Sequence, residues 1–325
     1  MKLMQQWRTQ CLAAPKKIVF ADALDTRVLH AANELKKQGL ADPILLGNPF
    51  ELRDYAYRSG VITPCLAIVD PQQSGYFDEF SKAYQEGGKP SLCAEDAQQA
   101  MRNPLFYAAM MVQRGQADIC IAGNLSTTGD VLRAALKVIG VAEQHRTVSS
   151  FFMMSSPDGK DLRLFADAGV VPEPSVEQLA DITIDAAQNF EKLTGEPARV
   201  AMLSFSTKGS SDHPAACRVR EAFELVRRRV PDLIVDGELQ VDAAIVPAVA
   251  EKKAPASPLH GNANVLIFPS LDAGNIAYKI AERLCHYQAL GPILQGLNKP
   301  MHDLSRGCSV DDIVNISVLA SCLAQ

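Results

Sequence analysis

Short apolar runs alternate with amphipathic stretches along most of this chain, each pair joined by a loop of small and polar residues. Ile18-Val19-Phe20 leads through Ala21 to Asp25 into a helical pattern over residues 26–38. Pro43 to Gly47 leads through Asn48-Pro49 into another over 50–59. A strand over 66–69 precedes helices over 76–86 and 94–114, and a strand over 117–122 precedes a helix over 131–139. Strands separated by helices pair in parallel, because a right-handed helical crossover returns the chain in the same direction and a tight hairpin does not. The rhythm therefore predicts an α/β architecture with mainly parallel sheets.

The pattern changes near residue 141. Strands over 148–154 and 162–166 are separated by a turn cluster that contains Asp158-Gly159, which predicts an antiparallel hairpin. Helices over 176–193, 215–229, 241–250 and 274–284 then interleave with strands over 200–205, 233–235, 265–268 and 291–295, before a closing helix over 311–323. A chain of 325 residues exceeds one ordinary domain. The expected organisation is a first α/β domain of 1–141 with about 294–325, and a second of 142–293.

Several function classes are disfavoured. A net charge of −5 and a 6% aromatic content, with Trp7 the single tryptophan, offer neither a basic face nor stacking platforms for nucleic acid. The eight cysteines form no C-x-x-C pair and mostly lie in apolar stretches, which reads as buried, reduced thiols in a cytoplasmic protein. The histidines are scattered and no metal site is expected. Residues 1–8 lack an apolar secretory core, and no run approaches the roughly 18 apolar residues of a membrane span.

In open α/β sheets, ligands gather at the carboxyl ends of strands. Four loops there are rich in hydrogen-bonding residues. Gly123 to Asp130 carries Ser126, Thr127 and Thr128 and leads to Arg133; its free amides and hydroxyls suit a phosphate, or one side chain caps the next helix. Ser204 to Ser211 carries Ser206 and Lys208. Pro269 to Asn275 offers Asp272 or Asn275 as a helix cap, with Tyr278 one turn on. Asp303 to Asp312 sets Ser305 and Arg306 beside Gly307, where a guanidinium fork can grip a phosphate. Ser309 and Asp312 also fit a capping box, so Asp312 has a structural reading beside any chemical one. Cys308 reads as packing rather than a nucleophile.

The run Asn275 to Ala281, then Gly291 to Leu297, then Asp303 to Ser309, resembles the C-terminal signature of the phosphate acetyl/butyryltransferase family. Asp25-Thr26-Arg27-Val28-Leu29, Ser126 to Arg133, Leu203 to Ser210 and Asp236 to Asp242 extend the resemblance over essentially the whole chain. Asn48 to Arg53 and Ala122 to Ser126 are similar to the branch associated with ethanolamine utilisation, in which a microcompartment location is an option. The resemblance implies two α/β/α sandwich domains with an interdomain active-site cleft, usually in a homodimer. It implies direct acyl transfer between coenzyme A and phosphate in a ternary complex, with no metal and no tightly bound cofactor. The substrates would be acetyl-CoA and phosphate, or CoA and acetyl phosphate.

Carried onto this chain, Asp312 matches the proposed base for the CoA thiol. Arg306 and Ser305 match residues that hold phosphate and polarise the acyl carbonyl. Arg133 and Ser126, Thr127 and Thr128 match the other phosphate-facing wall, with Ser206, Lys208, Asn275 and Tyr278 as further substrate contacts. One departure stands out: an early F-P-E-G-x-D pattern reads Phe20-Ala21-Asp22-Ala23-Leu24-Asp25 here. A thiol near 8.5 and an ordinary aspartate near 4 differ by about 4.5 pH units, an uphill transfer of about 6 kcal/mol. Desolvation of the base, or transfer concerted with attack, would have to close that gap. Other readings are a propionyl- or butyryl-specific transferase, and a non-catalytic acyl-CoA-binding module. An NAD-linked, metal-dependent dehydrogenase lacks both its carboxylate cluster and its dinucleotide loop.

Overall fold

The computed structural model describes residues 2–63, 65–87, 92–143 and 145–324. The chain forms two compact units, Met1–Ala142 with Leu297–Gln325, and Glu143–Gly296.

In chain order the first unit begins with α1 (Lys2–Ala13), β1 (Lys16–Phe20), α2 (Thr26–Lys37), β2 (Ala41–Leu46), α3 (Pro49–Arg58) and β3 (Ala67–Val69). It continues with α4 (Phe77–Gly87), α5 (Ala94–Met101), α6 (Pro104–Gln113), β4 (Ile119–Ala122) and α7 (Thr128–Ala134), which runs into a π-helical turn at Ala135–Ile139. The helix expected over 94–114 is two helices. Pro104 has no N–H to continue the ladder, and the Asn103 side chain accepts the Leu105 amide to start α6 afresh. Helix α6 is buried along nearly its whole length, from Leu105 through Val112.

The second unit holds β5 (Ser149–Ser155), β6 (Leu162–Ala166), α8 (Val176–Thr194), β7 (Arg199–Leu203), α9 (Pro214–Arg229) and β8 (Ile234–Leu239). Then come α10 (Val241–Ile245), α11 (Pro247–Lys253), β9 (Val265–Ile267), α12 (Leu271–Cys285) and β10 (Gln288–Gln295). Pro247 divides the helix expected over 241–250. The six-stranded sheet has the order β10-β5-β6-β9-β7-β8. The β5–β6 hairpin and the β5–β10 pair are antiparallel, and the remaining pairs are parallel.

The chain re-enters the first unit with β11 (Met301–Asp303) and α13 (Val310–Leu323). The first sheet is five-stranded, order β11-β4-β1-β2-β3, and every pair in it is parallel. From β1 the chain winds outward to β2 and β3, then returns to lay β4 and β11 on the other side. The reversal falls between β1 and β4, the position where open α/β sheets bind ligands. Helix α13 packs against α1 and α2 through an apolar face that includes Ile313, Ile316 and Leu319.

Two expectations need correction. Asp303, expected to open the fourth loop, instead ends a strand over 301–303, so it is a core position. Only part of the cysteine set is buried: Cys11, Cys120, Cys308 and Cys322 are, whereas Cys65, Cys93 and Cys285 are exposed. Among the described residues no helix is long and apolar enough to cross a membrane.

Candidate active site

Three loops leave the carboxyl ends of the adjacent strands β1, β4 and β11, and hydrogen bonds tie them into one cluster. The loop after β1 supplies Asp22 and Asp25, and the first turn of α2 supplies Arg27. Asp25 caps α2 by accepting the Arg27 amide at 2.8 Å. The Arg27 guanidinium grips the same carboxylate, Nε to Oδ1 at 3.1 Å and Nη2 to Oδ2 at 2.6 Å. Burial raises the Asp25 carboxyl, but hydrogen bonds from Arg27 and Asn124 outweigh it and hold the group below the usual carboxylate range. Arg27 then reaches outward: Nη1 donates to the carbonyls of Arg306 and Cys308 at 2.8 Å each, and Nη2 to that of Asn124 at 3.2 Å.

The loop after β4 is the expected anion nest, and its anion is the protein's own. Asp22 Oδ2 accepts the amides of Gly123, Leu125 and Ser126 at 2.9, 3.3 and 3.0 Å, while Oδ1 accepts the Ser126 hydroxyl at 2.6 Å. Thr127 caps α7 and donates its hydroxyl to Asp130 at 2.7 Å. Arg133 pairs with the other Asp130 oxygen at 2.5 Å, which with the Thr127 bond depresses the Asp130 carboxyl. Thr128 donates its hydroxyl to Asp303 at 2.6 Å.

The loop after β11 carries Ser305 and Arg306. The Ser305 hydroxyl accepts the Gly307 amide at 3.2 Å, and its carbonyl accepts the Cys308 amide at 2.9 Å, so the loop is a tight turn. Arg306 is exposed, and its guanidinium has no hydrogen-bond or ion-pair partner among the described residues. The capping box at α13 is complete: Ser309 Oγ accepts the Asp312 amide at 3.1 Å, and Asp312 Oδ2 accepts the Ser309 amide at 2.9 Å and hydroxyl at 2.8 Å. Burial pushes the Cys308 thiol up to about 11 despite Arg27, so it is no ready thiolate. His302 is buried, which lowers its imidazole to about 4.

The other candidates lie in the second unit. Fully buried Ser206 donates to Glu238 at 2.7 Å, and Glu238 also accepts the Gly209 amide at 2.9 Å. Lys208 is paired with Asp236, donates to the Gly237 carbonyl at 3.2 Å and sits over the Phe223 ring. Ser270, rather than Asp272 or Asn275, caps α12; Asn275 instead donates to the Ala168 carbonyl at 3.1 Å. Tyr278 stacks on Phe152 with ring centroids 4.1 Å apart.

Sequence reasoning did not select Asp22, Asp25, Arg27, Asn124 or Asp303 as site residues, although Asn124 and Asp303 lie in two of the loops it named. The one local signal was the altered Phe20–Asp25 pattern, which turns out to supply both the nest's carboxylate and the anchor of Arg27.

A parallel sheet with a polar, arginine-bearing loop cluster at its switch point is the ligand-binding arrangement of open α/β proteins, here with Arg306 as a cation without a partner among the described residues. The family described as Phosphate acetyl/butaryl transferase matches residues 2–321. A phosphate acetyltransferase of Thermoanaerobacterium thermosaccharolyticum is 42% identical over 330 residues, covering 100% of both chains. Among solved structures, the EutD phosphotransacetylase of Staphylococcus aureus superposes with a TM-score of 0.92 at 38% identity, covering 100% of this chain and 98% of that one. A phosphotransacetylase of Streptococcus pyogenes gives 0.95 at 39% identity, covering 99% and 98%. The chain belongs to the Phosphate acetyl/butaryl transferase family and is a transferase.

Proposed function

We propose that this chain is a phosphate acetyltransferase that interconverts acetyl-CoA and phosphate with acetyl phosphate and CoA. The names of its relatives support the acyl group, and the observation that carries the chemistry is Arg306. It is a guanidinium without a protein partner among the described residues, on a turn whose carbonyls are clamped by Arg27. Such a group can hold the phosphoryl oxygens bidentately and offset charge developing on the acyl oxygen. Ser305 stands beside it, and Thr128 and Arg133 lie on α7, which follows the neighbouring loop.

Transfer is direct. In the ternary complex the CoA sulfur attacks the acyl carbon of acetyl phosphate, phosphate departs, and alignment of the two bound substrates lowers much of the barrier. The high Cys308 thiol argues against a cysteinyl intermediate. Asp312 is the proposed acceptor of the thiol proton; one of its oxygens is committed to the Ser309 cap. Ser206, Lys208, Asn275 and Tyr278 are the further substrate contacts proposed from the family resemblance. Likeness to the Staphylococcus aureus EutD protein favours an ethanolamine-utilisation role for a cytoplasmic homodimer, with association to a microcompartment as part of that reading.

The test is phosphate-dependent CoA release from acetyl-, propionyl- and butyryl-CoA by the purified protein and by Arg306→Ala and Asp312→Asn. Turnover is expected to be highest with acetyl-CoA and to fall by about a hundredfold or more in Arg306→Ala with the fold intact. A preference for a longer acyl group would revise the substrate. No release across the series, with acyl-CoA still bound, would identify a binding module instead.

A further inference from the structure

Helix α8 carries two carboxyls that are almost wholly buried. Asp181 and Asp185 stand one helical turn apart and are each 4% exposed. Two like charges so close and so dry are costly unless each is put to use on a partner. Asp181 Oδ1 accepts the Arg229 guanidinium at 2.7 Å, and its Oδ2 accepts the Arg146 amide at 3.0 Å. Asp185 Oδ1 lies 2.8 Å from His145 Nδ1.

The groups so oriented wall a cavity of about 450 Å³, the size of a small-metabolite site. Its lining includes Asp181 and Gln188 of α8, Arg229 at the end of α9, and Glu143, His145 and Arg146 from the segment before β5. Every one of these residues belongs to the second unit. The Arg146 guanidinium has no hydrogen-bond or ion-pair partner among the described residues. Arg229 commits Nη1 to Asp181, and His145 is held through Nδ1, which leaves its Nε2 without a partner among the described residues. Donors thus line the cavity while buried carboxyls behind them fix where they stand.

We propose that this cavity binds a small metabolite through a carboxylate or phosphate head, held by Arg146, Arg229 and His145 Nε2. A guanidinium fork matches either head with two parallel hydrogen bonds. Donors already oriented by Asp181 and Asp185 lose little freedom when the ligand arrives. Glu143 and Gln188 can accept hydroxyl protons from the body of the ligand. The site is separate from the Ser305, Arg306 and Asp312 set, which belongs to the first unit.

The Asp185–His145 pair gives binding a pH dependence. Burial, with Asp181 adding to it, pushes the Asp185 carboxyl up to about 8. Below that pH the pair holds one proton between Asp185 and Nδ1 and a second on Nε2, so Nε2–H can donate to the anion. Above it Asp185 is a carboxylate that accepts from Nδ1–H, and Nε2 turns a lone pair towards the anion. The other charged groups around the pair are Asp181 on α8, Arg229 on α9, and Glu143 and Arg146 on its own segment. Arg146 and Arg229 also act on Glu177 in the first turn of α8, whose carboxyl is held below its usual range mainly by hydrogen bonds from its own amide and from Ser175. Affinity should weaken as pH rises through about 8.

The experiment is calorimetric titration of the full chain with glycerol 3-phosphate and with glycerate, at about pH 7 and about pH 9. The two probes share a hydroxylated body and differ in the head. The titrations use Arg306→Ala, which removes the phosphate-holding guanidinium of the first unit, with and without Arg146→Ala. At least one probe should bind Arg306→Ala with a millimolar Kd or tighter, and the better probe identifies the head. Adding Arg146→Ala should weaken binding by about tenfold or more, and raising the pH should weaken it by about threefold or more. Arg146→Ala alone should keep kcat and KM for acetyl-CoA and phosphate within about twofold of wild type. Absence of binding by both probes up to about 20 mM overturns the site, as does binding that Arg146→Ala leaves unchanged. Loss of acyl transfer in a folded Arg146→Ala protein overturns its separateness from the catalytic set.

Discussion

A guanidinium on a loop can serve a substrate or the protein's own carbonyls, and Arg27 does the second. Its Nη1 is shared between the carbonyls of Arg306 and Cys308, while Asp25 holds the other side of the fork. The backbone on which Arg306 stands is thereby fixed from the first turn of α2, near the other end of the sequence. Lysine keeps the charge but has no planar fork, so it cannot hold Asp25 and two carbonyls together. Arg27→Lys should therefore lower kcat by about tenfold or more with the far-ultraviolet circular dichroism unchanged. A variant within about twofold of wild type would remove the clamp from the account. The same contacts explain what was legible in the sequence. Ser305, Arg306 and Asp312 stood out because they share one short motif. Arg27 meets Arg306 across 279 positions, Ser126 meets Asp22 across 104, and Thr128 meets Asp303 across 175. Spacing within a loop carries no trace of such partners.

The starts of α2, α3 and α13 were readable because their chemistry is local, whereas the cap of α12 was misplaced by two residues or more. Asp25 and Asn48 cap α2 and α3, and Ser309 with Asp312 completes a capping box at α13. The β11 strand was not readable: three residues, two of them polar, show no period, and its place is set by pairing with β4. Its arrival beside β4 depends on Gly123. That residue has φ +101°, and a Cβ there would meet Asp303 Oδ1, the Leu304 amide nitrogen at 2.7 Å and its carbonyl oxygen at 2.8 Å. Gly129, six residues on in α7, has nothing closer to a new Cβ than Thr127 Oγ1 at 3.8 Å. The two glycines make a matched pair. Gly123→Ala should cost about 2 kcal/mol or more, from left-handed strain and displacement of β11, and should depress activity further than stability. Gly129→Ala should be neutral or stabilising by up to about 1 kcal/mol. Equal denaturation midpoints for the two variants would mean that β11 does not lean on Gly123.

At the scale of the molecule, α12 stands apart from the other long helices. Gly274 is its single buried residue, while Ile276, Ile280 and Leu284 are 57%, 49% and 74% exposed. Their spacing of four places them along one face, a pattern that sequence periodicity alone reads as core-facing. If the chain forms the homodimer proposed above, a second copy of it would cover this stripe. A two-fold interface sets one patch against itself, so a self-complementary run of aliphatic side chains needs no other partner. A charge introduced there is buried twice in each dimer, once from either side, with nothing to pair it. Ile280→Asp should therefore convert a dimer to a monomer by light scattering at micromolar concentration. The wild-type melting temperature should rise with protein concentration and that of the variant should not, because association stabilises by mass action. A wild-type monomer would remove the dimer, and a variant that stays dimeric would move the interface away from α12.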